Sequence, residues 1–177
     1  MSENTVIQKK DDFIMLPTSD FCFKELMQNS KVRKGIISAL LGISPEEIAG
    51  TKLLPTSTTE EYPDGKLGIL DVLIKLENGT QVGMEMQVAK YDYWTNRILF
   101  YLCRMFTGQI EKGDTYDKLK KCIHVSFLDF VHFENDYDFY RKITLRDEKN
   151  SEYTDLLELH ILELKNYRQK NRMKMDF

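Results

Sequence analysis

Apolar residues recur at helical spacing from Phe23 through Leu26 and Met27 to Val32, Ile36, Ile37, Leu40 and Leu41, which predicts a helix. Thr18, Ser19 and Asp20 are each suitable N-caps for it, and Gly42 is a suitable stop. Ser44-Pro45-Glu46-Glu47 restarts a short helix with Ser44 and Glu47 as a capping box, ended by Gly50. Residues 51–68 read as an irregular strand and a turn around Pro63-Asp64-Gly65. Ile69 to Leu76 and Thr80 to Val88 are strands joined as a hairpin through Asn78-Gly79. Aromatic and arginine positions from Tyr93 to about Ile110 predict a second long helix, broken by Gly113. Cys122 to Val131 is apolar on both parities apart from His124, Ser126 and Asp129, as in a strand covered on both faces, and Leu156 to Leu164 is a further strand. The order implies an α/β chain with a mixed central β-sheet flanked by helices. It divides into an N-terminal arm at 1–16, a folded domain at 17–164 and a basic tail at 165–177.

The hairpin brings up the first chemistry. In its second strand Val82, Met84, Met86 and Val88 share one face, leaving Glu85 and Gln87 together on the other. In its first strand Asp71 stands among β-formers, where a carboxylate costs several kcal/mol unless it is paired, neutralised or bound to a cation. Register decides whether the two acids meet. A two-residue Asn78-Gly79 turn sets Asp71 opposite Met86 and separates the carboxylates. A three-residue Glu77-Asn78-Gly79 loop, with Gly79 left-handed in a G1 bulge, sets Asp71 opposite Glu85 on one face. Directly opposed Cβ atoms stand about 4.5–5.5 Å apart, close enough for two carboxylates to share a divalent cation. The second register is the expectation. A polar strip on an exposed strand face is the plainer account of Glu-x-Gln, and the apolar run around Asp71 argues against it.

Composition narrows the partners. The 177 residues carry 25 Lys+Arg against 28 Asp+Glu, a formal charge of −3, which excludes a uniformly basic nucleic-acid coat. Residues 1–87 hold 9 basic and 13 acidic side chains and residues 88–177 hold 16 and 15, so the acidic half contains the proposed metal carboxylates. Cys22, Cys103 and Cys122 sit among apolar neighbours like buried intracellular thiols, with no disulfide framework. No apolar run approaches the ~18 residues of a membrane span, and no secretory segment is readable, so a cytoplasmic location is expected. His124, His132 and His160 do not cluster in sequence and read as structural. Gly-rich phosphate loops, GxSxG elbows and HExxH signatures are missing, which excludes those hydrolases and kinases.

Asp71, then Glu85-Met86-Gln87, then Tyr93-Trp94-Thr95-Asn96-Arg97-Ile98-Leu99-Phe100-Tyr101, then Gly113-Asp114-Thr115-Tyr116 before a strand, together with Asp20-Phe21-Cys22-Phe23-Lys24, form an ordered series. It resembles the recombination-promoting nuclease and transposase family of the PD-(D/E)XK phosphodiesterase superfamily, over roughly Asp20 to Leu164. The resemblance implies a restriction-endonuclease-like PD-(D/E)XK core whose metal-binding hairpin carries Asp71 and Glu85. It also implies a ligand from the Met86 main-chain carbonyl, and often an acidic residue of the first helix, for which Glu25 is the best-placed candidate and Asp20 a second. Gln87 stands where most of the superfamily has Lys and where this family has Gln. It cannot carry positive charge or take a proton, so its expected role is to orient water or a phosphate oxygen. The resemblance also implies that residues 165–177 begin a longer helical region.

Arg97, Tyr101 and Arg104 fall on one helix face, with Trp94 a turn earlier. They read either as a phosphate-contacting stripe or as a rim snorkelling over Ile98, Leu102 and Met105, and the rim is the reading for Arg104. Lys66 is a further phosphate candidate. The expectation is an Mg2+-dependent DNA endonuclease, with Mn2+ as a substitute, DNA as partner, and a homodimer left open. The alternative is a catalytically inactive nuclease-fold module for interaction or DNA binding.

Overall fold

The computed structural model describes residues 16–46, 48–56 and 70–167. Two helices, α1 (Asp20–Gln28) and α2 (Ser30–Leu41), precede strands β1 (Thr51–Leu54), β2 (Val72–Leu76) and β3 (Gln81–Gln87). Helix α3 (Trp94–Thr107), a 3-10 turn at Tyr116–Lys118, and strands β4 (Cys122–Leu128), β5 (Tyr140–Arg146) and β6 (Glu152–Glu163) follow. The strands form one six-stranded sheet in the order β1-β2-β3-β4-β6-β5. Only the β3/β4 and β4/β6 pairs are parallel, so the sheet is mixed, and helices cover it from both sides. No helix among the described residues is long and apolar enough to cross a membrane.

Strand alternation sorts the core into two layers. Val82 and Met84 of β3 join Ile123 and Val125 of β4 against Phe23, Met27 and Ile37 of α1 and α2. Cys122, Leu128, Leu159 and Ile161 pack on the other face against Trp94, Ile98, Leu102 and Met105 of α3. Gly83 lets α3 come this close, because a Cβ there would lie 2.6 Å from Met105 Sδ and 3.0 Å from Leu70 Cδ1. The cysteines are free, and their burial differs from the expectation. Cys122 is buried, Cys22 half-buried and Cys103 exposed, since Cys103 falls on the side of α3 turned from the sheet.

The single helix expected from Phe23 to Leu41 is two. Asn29 is extended (φ −75°, ψ 118°), and its Oδ1 accepts from Lys31 N at 2.9 Å and Val32 N at 3.4 Å, capping α2. Arg33 closes the end of α1, its Nη1 donating to Met27 O at 2.6 Å and Gln28 O at 2.7 Å. The short helix expected after Ser44 is a turn in which Ser44 Oγ donates to Glu46 Oε2 at 2.7 Å; Glu47 lies outside the described residues. Strand β5 was not expected from the sequence: it is an edge strand with mostly half-buried or exposed positions and no core-facing alternation. The arm at 1–15, the Pro63-Asp64-Gly65 turn and the basic tail from 168 also lie outside the described residues.

The hairpin has the three-residue loop. Val72 pairs with Met84 and Lys75 with Gln81; Gly79 is left-handed at φ 88°, its N–H donating to Leu76 O at 3.0 Å. On β6, Glu158 is buried and accepts from Lys121 Nζ at 2.7 Å, Lys142 Nζ at 2.9 Å and His160 Nε2 at 3.1 Å. Burial pushes its carboxyl up, but the hydrogen bonds from Lys121, Lys142 and His160 outweigh that and hold it at about 2.

Two outcomes follow from these contacts. Gly79→Ala should lower stability by about 1–2 kcal/mol in urea unfolding. Deleting Gly79 shifts the register by one and should remove the cooperative transition altogether. Because the folded pKa of Glu158 lies below its unfolded value of 4.5, its contribution is present above pH 4.5 and lost as pH falls toward 2. Acid titration of stability should therefore fall less steeply over that window in Glu158→Gln than in wild type.

Candidate active site

The register, continued one pair beyond Val72–Met84, sets Asp71 opposite Glu85 at the end of the β2–β3 ladder, near enough for its charge to act on Glu85. The ladder stops at Val72–Met84: Leu70 N donates to Thr56 O at 3.3 Å, and Met86 N donates to Asp71 Oδ2 at 2.9 Å. The aspartate side chain thus replaces a backbone acceptor and fixes itself beside Met86. Its other oxygen lies 3.7 Å from Lys24 Nζ, which also holds Asp20 at 2.8 Å. Burial raises the Asp71 pKa, the Met86 hydrogen bond opposes this, and Asp20 adds to the rise.

Glu85 is 3% exposed. Its Oε1 is ion-paired with Arg97 Nη2, while Oε2 lies 3.9 Å from His124 Nε2, and among the described residues neither of these two atoms has a hydrogen-bond partner. Burial pushes the Glu85 carboxyl up to about 7, against the attraction of Arg97 and with a further push from Asp71. His124 is fully buried and brought down to about 3 by burial and by Arg97, so it is neutral at pH 7. Two tyrosines frame Arg97: Nε donates to Tyr101 Oη at 2.8 Å and Nη1 to Tyr91 Oη at 2.7 Å. The Tyr101 ring stacks on His124 with centroids 6.3 Å apart.

Gln87 lies on the same strand face as Glu85, with Nε2 turned to Ala89 O at 2.9 Å. Tyr101 is buried rather than on a rim, and Arg97 reaches inward to Glu85. Arg104 is two turns further along α3, in its last turn. Of the first-helix acids, Asp20 and not Glu25 stands near Asp71: α1 turns Asp20 and Lys24, four residues apart, to that side and leaves Glu25 exposed. Lys66 lies outside the described residues. His124 and Tyr91 join the site without having been singled out for it. His124 carried a weak signal, since it shares a polar parity of β4 with Ser126, whose neighbour in the sheet is Glu85. Tyr91 lies in a connection that periodicity does not describe.

A family model, PD-(D/E)XK nuclease family transposase, matches residues 17–176, a span that contains Asp71, Glu85, Gln87 and Arg97. The chain belongs to that family. No curated protein and no solved structure matches it. Members of the PD-(D/E)XK families are nucleases that generally use divalent metals and act on DNA.

No group of three or more His, Cys, Asp or Glu side chains suited to a metal converges among the described residues. The donors present are hard oxygens, which suit a cation that keeps much of its water. Burial raises the pKa of both acids, and Glu85 Oε2 has no hydrogen-bond partner among the described residues. Asp71 and Glu85, two hard oxygen donors at the end of the β2–β3 ladder, therefore fit a divalent cation.

Because the folded pKa of Glu85 lies above its unfolded value of 4.5, its contribution to stability is full below pH 4.5 and lost as pH rises through about 7. Without divalent ions, the stability difference between wild type and Glu85→Gln should shift against wild type across that interval, measured by urea unfolding at stepped pH.

Proposed function

We propose that the protein is a metal-dependent DNA endonuclease that hydrolyses phosphodiester bonds, in keeping with the transposases of its family. The meeting of Asp71 and Glu85 at the open end of the hairpin carries this reading. Asp71, Glu85 and the Met86 carbonyl would hold Mg2+, or Mn2+ in its place. A divalent cation bound there supplies Lewis acidity, lowering the pKa of water and neutralising charge that develops on the phosphate. Asp71 orients the Met86 peptide through its amide, and the neutral His124 beneath Glu85 adds no competing charge. Gln87, two residues beyond Glu85, would orient water or a phosphate oxygen if its amide turned from Ala89.

Cleavage of supercoiled plasmid in Mg2+ or Mn2+ tests the reading. Asp71→Ala and Glu85→Gln should each lose about 10²-fold or more in rate, with the fold retained. Wild-type cleavage by Asp71→Ala would exclude this site as its origin. A folded wild type that neither cleaves nor gains thermal stability from divalent ions would instead favour a non-catalytic nuclease-fold module.

A further inference from the structure

We propose that Arg97 is a built-in competitor for the cation: its guanidinium occupies Glu85 Oε1 and so sets how tightly Asp71 and Glu85 hold a divalent metal. This rests on the metal-site reading above. Arg97 lies in the first turn of α3, where the helix dipole disfavours a cation, so its position needs compensation from a nearby anion. Glu85 supplies it.

The rest of the guanidinium is engaged within the protein. Nε and Nη1 are held by the Tyr101 and Tyr91 hydroxyls, and the guanidinium carbon lies 5.1 and 5.6 Å from those two ring centroids. Tyr101 is itself buried against His124, so the frame around Arg97 is braced from below. A planar, aromatic-framed guanidinium loses little further freedom in staying on Glu85. A metal ion arriving at the pair therefore finds one Glu85 oxygen already paired and a fixed positive charge beside it. Like charges at such short range oppose each other even under strong screening. Linkage makes the effect reciprocal: whatever Arg97 costs the metal, the metal costs the Arg97–Glu85 pair. An arginine that served only to brace Glu85 would act in the opposite sense, because its removal would loosen the ligand and weaken metal binding.

The experiment is Mn2+ binding by electron paramagnetic resonance on wild type, Arg97→Gln, Arg97→Lys and Asp71→Asn, with circular dichroism as the check on fold. Arg97→Gln should bind Mn2+ about tenfold more tightly than wild type. Arg97→Lys keeps the charge and should stay within about twofold of wild type. Equal or weaker binding by Arg97→Gln overturns the proposal, as does a Lys variant that tightens as much as the Gln variant. If Arg97→Gln unfolds alone, saturating Mn2+ should restore the folded spectrum by taking over the charge of Arg97, and failure to restore it is equally decisive against the proposal. Asp71→Asn separates the two readings. Its loss of Mn2+ binding leaves the Arg97 comparison to stand or fall by itself, whereas unchanged binding removes the metal site and this proposal with it.

Discussion

Glu85 is a carboxylate buried under α3, and the architecture around it accommodates that one costly fact. Removing a carboxylate from water costs several kcal/mol unless charge and hydrogen bonds replace the lost hydration. Here a single guanidinium provides the charge, Tyr91 and Tyr101 fix the guanidinium, and His124 supports Tyr101 from the strand below. Trp94 anchors the start of α3 by packing on His132, with ring centroids 4.5 Å apart, so the helix bearing Arg97 is held where the ion pair needs it. Loss of any member reaches Glu85 through its neighbours.

The two acids are handled differently. Asp71 stands where the β2–β3 ladder ends and spends one oxygen on a backbone amide, so its position is fixed by the chain itself. Glu85 lies within a strand and depends on another element for its partner. Each has a cation beside it, Lys24 for one and Arg97 for the other. One acid is thus placed by its own chain and the other by helix α3.

Much of this was legible in the sequence where local chemistry decides. Asn78-Gly79 called for a tight loop, the left-handed preference of glycine made the bulged form available, and counting then carried Asp71 to Glu85. The mixed sheet, and β4 as its doubly covered strand, followed from apolar parity. What escaped was settled by partners distant in sequence or by capping. Asn29 interrupts an unbroken apolar period because its side chain serves a new helix start better than it serves a helix interior. Strand β5 draws its order from β6, with little burial of its own. The helical spacing placed Asp20, Lys24 and Glu25 on one element without saying which flank faces the hairpin. His124 read as a structural histidine; its place against Glu85 depended on the β3–β4 pairing.

Gly83 has no functional group, yet it governs the thickness of the layer in which the chemistry sits. The Met105 and Leu70 side chains occupy the space that a side chain there would need, so α3 packs closely over β3. The reach of an arginine from helix to strand is fixed by its own bond lengths. The gap between helix and sheet therefore acts as a ruler for the ion pair, and position 83 sets its zero. A methyl group added there would press on the Met105 thioether and the Leu70 side chain, two residues along the strand from Glu85. The packing around the site thus extends to a position recognisable only by the atoms it lacks.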